Sequence, residues 1–305
     1  MNIQEQIKKD RPTLKDNSIN AYVTVLRKLN GDEEVCSLDF LAKKENIMEQ
    51  IKDFKLTTKR NYLTGILVVL KAYKANQKLI DFYKNQINVQ NEEYNNIMAK
   101  NNKSEKQEKN WLELKELDTI FKSLEKKVKG LDLKNRIEIT TADLFLIQDY
   151  VVAGLYTLLP PVRLDFSPMA VVGAKHKLDD NINYLINVSR TKKYFKINQY
   201  KNIETHGVQY FQAPKKLNSV LNIWLKYNNS GTLLLNNRKE ALSSNGLGKL
   251  ITKVFAPTEK NVTINLLRSI YISEKVDIDA VKKNKNIADD MMHTVNTQQK
   301  IYYKS

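Results

Sequence analysis

Hydrophobic positions recur at three- and four-residue spacing through most of the first hundred residues. One series follows Ser18 (Ile19, Tyr22, Val23, Leu26 and Leu29), and a second follows Thr57 and Thr58 (Tyr62, Ile66, Leu67, Leu70 and Tyr73). Apolar residues at this spacing share one face of a helix, and a preceding Ser or Thr can cap it. With a short helix within 38–51 and another over 79–97, the pattern predicts a small helical bundle.

The hydrophobic pattern stops between residues 99 and 110. After Ala99 the chain reads KNNKSEKQEKN, which contains no apolar side chain. Such residues cannot bury enough surface to order the backbone. The sequence therefore predicts a first domain over 1–98, a linker over 99–110 and a second domain over 111–305. Trp111 restarts the pattern and is expected to anchor the first helix of that second domain.

The second domain mixes helical and strand patterns. Residues 140–159 form a strongly apolar run, which predicts a buried helix that the pair Pro160-Pro161 ends. Short apolar runs separated by polar turns predict strands at 170–173, 183–188, 194–198 and 209–213. Further helices are predicted at 218–227, 243–255, 262–273, 280–292 and 294–303. The expected fold class is mainly α with a small antiparallel sheet: a helical N-terminal domain followed by an α+β domain.

Composition adds an electrostatic constraint. The 305 residues include 50 Lys and Arg against 34 Asp and Glu, for a net charge of +16. A surplus of this size favours a polyanionic partner, usually nucleic acid, although a solubilising lysine-rich surface gives the same balance. Cys36 is the only cysteine, which excludes a disulfide framework and a cysteine zinc site. No apolar run is long enough to span a bilayer and the N-terminus has no apolar signal core, so we expect a soluble intracellular protein.

Three cations of the second domain stand where packing alone does not require them. Arg163 directly follows the apolar helix, and its guanidinium can bind two phosphate oxygens; an ion pair with Asp165 is the alternative. Lys201 follows a predicted strand, with an ordinary surface lysine as the alternative. Arg268 lies among leucines and isoleucines in INLLRSIY, which indicates a specific anion or carboxylate partner.

His293 and Tyr302 form a further candidate pair, nine residues apart near the end of the sequence. A phenolic hydroxyl can act as a nucleophile on an electrophilic phosphodiester. The alternative is a surface histidine with tyrosines that pack on a helix. Tyr303 is a rival nucleophile, but one helical step rotates the side chain by about 100°, so only one of the two hydroxyls should face a phosphate.

Taken in order, these residues resemble the tyrosine recombinases, the phage-integrase family. Arg163 in LLPPVRLD matches the first arginine of the family, Lys201 in NQYK the hairpin lysine, and Arg268 in LLRSIYIS the second arginine. His293 matches the late histidine, and Tyr302 in QKIY the nucleophile. The nine-residue step from His293 to Tyr302 is the most specific element of this resemblance.

The resemblance covers most of the chain. LLPPVRLD and NQYK look like a subgroup found in large DNA viruses and related mobile elements. The two helices led by Ser or Thr, over 18–29 and 58–73, are similar to the family's core-binding domain. Only the second domain carries motifs.

The sequence departs from the family pattern in three ways. Asn265 stands where the H-x-x-R box has its histidine, and an amide can bind a phosphate oxygen but cannot exchange a proton. The acidic residue usual three positions after the first arginine is Phe166 here, with Asp165 one place earlier. The sequence also ends three residues past Tyr302, where many relatives carry a helix that docks on a neighbouring subunit. We therefore expect either that the subunits are coupled differently or that the sequence is a trimmed form.

The resemblance implies a site-specific DNA recombinase or integrase that acts through a 3′-phosphotyrosine intermediate. Arg163, Arg268 and His293 would hold the phosphate oxygens, with Asn265 in the same box, while Tyr302 attacks and Lys201 protonates the leaving group. The implied partner is double-stranded DNA, bound by a tetramer, with no metal, cofactor, ATP or membrane. The expected location is with DNA inside the cell, in host cytoplasm or nucleus if the source is viral. A type IB topoisomerase and a DNA-binding relative without catalysis remain alternatives.

Overall fold

The chain is organised as two compact units, residues 1–103 and 104–305. The computed structural model describes residues 2–302, so Tyr303 lies outside the described residues. Helices predominate, and the strands form one small sheet of four. This confirms the predicted fold class of a mainly α protein with a small sheet.

The first unit is a bundle whose helices all contribute to one hydrophobic core. Its helices are α1 (Ile3–Asp10), α2 (Asp16–Leu29), α3 (Lys44–Ile51), α4 (Leu56–Ala72) and α5 (Gln77–Ala99), with a 3₁₀ turn at Asp39–Ala42. Tyr83 of α5 is fully buried and donates a hydrogen bond from its hydroxyl to the Leu41 carbonyl at 2.8 Å. Because a buried hydroxyl needs a partner, this bond ties α5 to the 3₁₀ turn.

Helix starts in the first unit differ from the prediction. α2 and α4 begin before the expected Ser and Thr caps, and their N-cap residues are Lys15 and Lys55, neither of which makes a side-chain capping bond. α1 was not predicted, because its polar sequence contains only two apolar residues, Ile3 and Ile7. Both are buried, one helical turn apart, so tertiary packing stabilises a helix that local composition does not indicate.

The stretch predicted as an unstructured linker contains a helix, α6 (Glu105–Asn110). It buries no residue, and instead begins with a capping box between Ser104 and Gln107. Gln107 Nε2 donates to Ser269 Oγ at 3.4 Å, and the Asn261 N–H donates to Asn110 Oδ1 at 2.7 Å. Polar bonds to other parts of the second unit therefore order a segment that has no apolar side chains to bury.

The second unit packs its helices around α8 (Thr141–Thr157). The other helices before the C-terminal segment are α7 (Leu114–Lys129), α9 (Ile203–His206), α10 (Lys215–Tyr227), α11 (Ser244–Val254) and α12 (Ile264–Lys275), with a 3₁₀ turn at Ala256–Thr258. α8 is apolar on all sides, as a central buried helix should be. Gly154 allows close packing, since a Cβ there would lie 3.2 Å from Leu217 of α10 and 3.3 Å from Phe121 of α7. Trp111 packs against the same core.

The sheet has the strand order β1-β2-β3-β4, with β1 (Ala170–Gly173), β2 (Tyr184–Asn187), β3 (Lys193–Ile197) and β4 (Gln209–Gln212). β2, β3 and β4 pair antiparallel, as predicted, but β1 and β2 run parallel. The sheet is therefore mixed rather than antiparallel. The connection 174–183 returns the chain to the end where β1 began, and no hydrophobic pattern encodes that path.

The C-terminal segment contributes little to the core. It comprises α13 (Ile278–Asp290), a single turn α14 (Val295–Thr297) and a π-helical turn at Gln298–Tyr302, where one helix over 294–303 was predicted. Ala288 is the buried residue of α13. Within residues 2–302, no helix has both the length and the apolar character that crossing a bilayer requires.

Candidate functional site

Arg163 lies on an irregular loop directly after α8. α8 starts with a capping box between Thr140 and Asp143, and the chain leaves it before Pro160 and Pro161. The buried Tyr156 hydroxyl donates to the Arg163 carbonyl at 2.9 Å. The half-buried Arg163 side chain is thus carried on a backbone that is bonded back to the central helix.

Asp165, two residues on, connects the two candidate arginines electrostatically. Burial raises the pKa of its carboxyl, whereas the Arg163 guanidinium, a backbone hydrogen bond from Arg163 and the Arg268 guanidinium each lower it. The burial effect is the largest, so the pKa stays above its usual value. Both arginines therefore act on one carboxyl, although 105 positions separate them in sequence.

The structural ion pair that is the alternative reading of Arg163 is not formed in the described residues. Within residues 2–302, neither Arg163 nor Arg268 takes part in a salt bridge. Two guanidinium groups that both act electrostatically on one partly buried carboxyl, without forming a salt bridge to it, leave positive charge available for an external anion.

α12 presents Asn265 and Arg268 on one side. Thr263 caps the helix by accepting a hydrogen bond from the Leu266 N–H, and Leu266, Leu267 and Ile270 are buried. Asn265 is exposed and Arg268 is half-buried. Residues three apart are neighbours on a helix surface, so Asn265 and Arg268 share a face of α12.

A cavity of about 850 Å³ brings Arg163 and Asn265 together, with Asp165 in its wall. Further polar residues that line it come from four other segments, namely Asn183, Gln199, Thr232 and Ser244. Sequence reasoning did not assign a role to any of the four: Gln199 lies inside NQYK but only Lys201 was selected there, and the other three are single polar residues with no motif around them. The cavity is large enough for a ligand of moderate size, since such pockets measure about 300–1,000 Å³.

Lys201 lies in the turn after β3, at the position predicted for it. It is exposed, two residues after the cavity residue Gln199. The turn is closed by Tyr200, whose hydroxyl donates to the Gly207 carbonyl at 2.7 Å. Gly207 has φ of +64°, a conformation that suits glycine. Lys201 therefore lies on a closed turn, two residues from a residue that lines the cavity.

His293 and Tyr302 lie side by side. Their ring centroids are 5.2 Å apart with the planes tilted by 47°, and the Tyr302 side chain is 59 % exposed. His293 Nδ1 lies 3.2 Å from the Met291 carbonyl oxygen, while its Nε2 is buried without a hydrogen-bond partner within residues 2–302. The pairing of the two residues agrees with their nine-residue spacing.

Five of the six candidate residues thus form two groups, while Lys201 lies on the turn after β3 and does not line the cavity. Arg163, Asn265 and, through Asp165, Arg268 form the first, and His293 with Tyr302 forms the second. In the described part of the chain, no hydrogen bond, salt bridge or ring contact joins the two groups. Residues 2–302 also contain no cluster of three His, Cys, Asp or Glu side chains that could hold a metal ion.

Comparison with known proteins gives a limited result. No protein-family model matches this chain, and no curated protein matches it. Among solved structures, the crystal structure of XerA recombinase aligns with 92 % of this chain and 87 % of its own, with 10 % sequence identity and a TM-score of 0.34. Similarity at this level does not assign a function.

Proposed function

We propose that this protein is a site-specific DNA recombinase or integrase of the tyrosine-recombinase type. The observation that carries the proposal is the cavity that joins Arg163 and Asn265 beside Asp165, a carboxyl on which Arg163 and Arg268 both act. Arg163 and Asn265 are 102 positions apart in the sequence, and both line this cavity. This proximity supports the proposal.

The proposed chemistry is a reversible transesterification. The Tyr302 oxygen attacks the phosphorus of a DNA phosphodiester while its phenolic proton passes to water, and the bond from phosphorus to the 5′-oxygen breaks. Lys201 gives a proton to the leaving 5′-oxygen, which becomes a free hydroxyl. Arg163 and Arg268 hold the non-bridging oxygens, with His293 and Asn265 as further donors, and they counter the charge of the transition state. Attack by a 5′-hydroxyl of another strand reverses the step.

Tyr302 must reach the phosphate that the arginines hold. In the described residues its partner is His293 rather than any residue of the cavity. Assembly on DNA is therefore part of the proposal, with double-stranded DNA bound by several copies of the chain, as in a tetramer. An origin in a large DNA virus or a mobile element, which the LLPPVRLD and NQYK segments suggest, belongs to the same proposal.

Covalent trapping tests the proposal. Duplexes that the full chain binds are selected from a randomised pool, nicked to trap the intermediate, and incubated with the protein in EDTA. We expect an adduct that survives SDS, is lost in Tyr302→Phe, and persists in Tyr303→Phe. Arg163→Ala should slow its formation by about 10²–10³-fold, the usual cost of removing one donor to a developing oxyanion.

A second candidate follows from Asn265. The amide in the cavity cannot exchange a proton, as a histidine could. A DNA-binding protein without catalysis would bind the selected duplexes and form no adduct, and that result would replace the first proposal with the second. If an adduct forms, relaxation of a supercoiled plasmid by the protein as a monomer would instead identify a type IB topoisomerase.

A further inference from the structure

Asn183 occupies a position that no motif marks, directly before β2, with 7 % of its surface exposed. Its Nδ2 donates to the Asp165 carbonyl at 3.0 Å and to the Gln199 carbonyl at 2.9 Å. Its Oδ1 accepts from the Asn198 N–H at 2.9 Å and from the Gln199 N–H at 2.7 Å. All the hydrogen-bonding capacity of this amide is therefore used.

These four bonds join the two irregular segments that carry candidate residues. Asp165 is two residues after Arg163, and Gln199 is two residues before Lys201. Neither segment belongs to a helix or a strand at these points, so no backbone ladder fixes the distance between them. The backbone of Asn183 is also attached to β1, because its backbone carbonyl accepts a hydrogen bond from the Ala170 N–H at 2.9 Å. Asn183 is thus the common attachment point of both segments and the sheet.

We propose that Asn183 is a positioning residue that sets Lys201 against the phosphate held by Arg163. The inference rests on the proposed function, in which these two side chains act on the bridging and non-bridging oxygens of one phosphodiester. Geometry matters here because a general acid must come within hydrogen-bond reach of the leaving oxygen. Displacement of about 1 Å is enough to cost a rate factor of order 10².

The opposite end of β3 offers a matched control. Asn218 is 5 % exposed; its Nδ2 donates to the Arg190 carbonyl at 2.8 Å, and its Oδ1 accepts from the Lys193 ammonium at 3.3 Å. It therefore braces the turn between β2 and β3 as Asn183 braces the turn after β3. Asn218 does not line the cavity, so its loss should affect stability without a selective effect on Lys201.

The experiment compares two leaving groups. Once the wild-type adduct has located the scissile phosphate, a second duplex is made with sulfur in place of its bridging 5′-oxygen. A thiolate leaves without a proton, since thiols are far more acidic than alcohols. Lys201→Ala serves as the reference: it should be slow on the oxygen-linked duplex and fast on the sulfur-linked one.

Asn183→Ala should show the same pattern of rates on the two duplexes as Lys201→Ala, with a smaller loss on the oxygen-linked one. We expect about a 10–100-fold slower adduct formation on the oxygen-linked duplex, a part of the 10²–10⁴ that a general acid supplies. The sulfur-linked duplex should recover most of this loss. Asn218→Ala should change the rate of adduct formation by the same factor, relative to wild type, on both duplexes.

Three results would overturn the inference. Asn183→Ala could slow both duplexes by the same factor, which indicates a general structural role, or it could slow neither. The third is a wild-type protein that forms no adduct on any bound duplex; this rejects the proposed function, and the inference falls with it. If circular dichroism shows Asn183→Ala to be unfolded, Asn198→Ala replaces it, because Asn198 Nδ2 donates to the Asp179 and Ile182 carbonyls and holds the same turn. The same selective loss is then required.

Discussion

Asp165 shows how burial and charge compete at a single residue. Its carboxyl is close to two guanidinium groups, which favour the ionised form, yet the loss of water on burial outweighs them and raises its pKa. The ionised carboxylate is therefore held at a cost. That cost is consistent with a group that balances Arg163 and Arg268 while no phosphate is bound, because a tight structural pair would have lowered the pKa.

A substitution of Asp165 tests this balance. A carboxyl whose pKa rises on folding stabilises the protein fully below its unfolded pKa, and this contribution is lost as the pH rises through the folded value. At pH 7 the carboxylate thus costs stability, and Asp165→Asn should melt at a higher temperature than wild type. The difference should disappear as the pH falls below about 4, where both states of wild type carry the proton.

Thermal unfolding followed by circular dichroism from pH 3 to pH 8 measures this effect. The exposed Asp53, which forms no salt bridge within residues 2–302, provides the control, and Asp53→Asn should follow the wild-type pH profile. A lower melting temperature for Asp165→Asn at pH 7 would contradict the argument. It would mean that the two arginines more than repay the desolvation of the carboxylate.

At the scale of elements, the hydrophobic pattern of the sequence predicts the central helix and the strands well. The strongly apolar run that forms α8 and the four strands are found within about two residues of their predicted ends, the usual uncertainty of such boundaries. Arg163, Lys201 and Arg268 could be selected because each interrupts or follows an apolar element. The direction of β1 relative to β2 depends on the course of the connecting loop.

Tertiary hydrogen bonds account for the parts that the sequence does not predict. α6 has no apolar side chain, and it is ordered by bonds to Ser269 and Asn261 that lie far along the chain. Asn183 is one asparagine among many, and it is important because its side chain forms hydrogen bonds with four backbone atoms that are distant in the sequence. Neither the hydrophobic periodicity nor a motif spacing can indicate such bonds.

Gln148 is a case of this kind inside α8. It is 2 % exposed, its Nε2 donates to the Leu235 carbonyl at 3.0 Å, and its Oε1 accepts from the Leu235 N–H at 2.6 Å. The amide thus pairs with Leu235 as a neighbouring strand would. It attaches α8 to the segment that includes Thr232 in the wall of the cavity.

Gln148→Leu should therefore destabilise the protein although it places an apolar residue in an apolar helix. It leaves the Leu235 N–H and carbonyl buried without partners, at a cost of about 1–3 kcal/mol for each unsatisfied group. Urea unfolding measures the loss. Gln90→Leu on α5 is the control, since the Gln90 side chain is only half-buried and makes no hydrogen bond within residues 2–302. Equal stability of the two variants would show that water or rearrangement satisfies Leu235.

At the scale of the whole molecule, each of the two units has its own hydrophobic core, whereas the net positive charge is larger in the second unit. The two sets of core residues share no member. Residues 1–103 carry 18 Lys and Arg against 13 Asp and Glu, and residues 104–305 carry 32 against 21. The larger surplus thus belongs to the unit with the candidate site, while each unit has a core of its own. Separate cores predict separate unfolding.

A matched pair of core truncations tests that prediction. Leu63 in α4 and Leu155 in α8 are both fully buried, one in each core. Replacing a buried leucine by alanine costs about 2–5 kcal/mol, because it removes apolar contacts and leaves a cavity. In calorimetry of the full chain we expect two transitions, with Leu63→Ala lowering the temperature of one and Leu155→Ala lowering only the other. A single transition shifted by both variants would mean that the units unfold as one cooperative body, and the division into separately stable domains would be wrong.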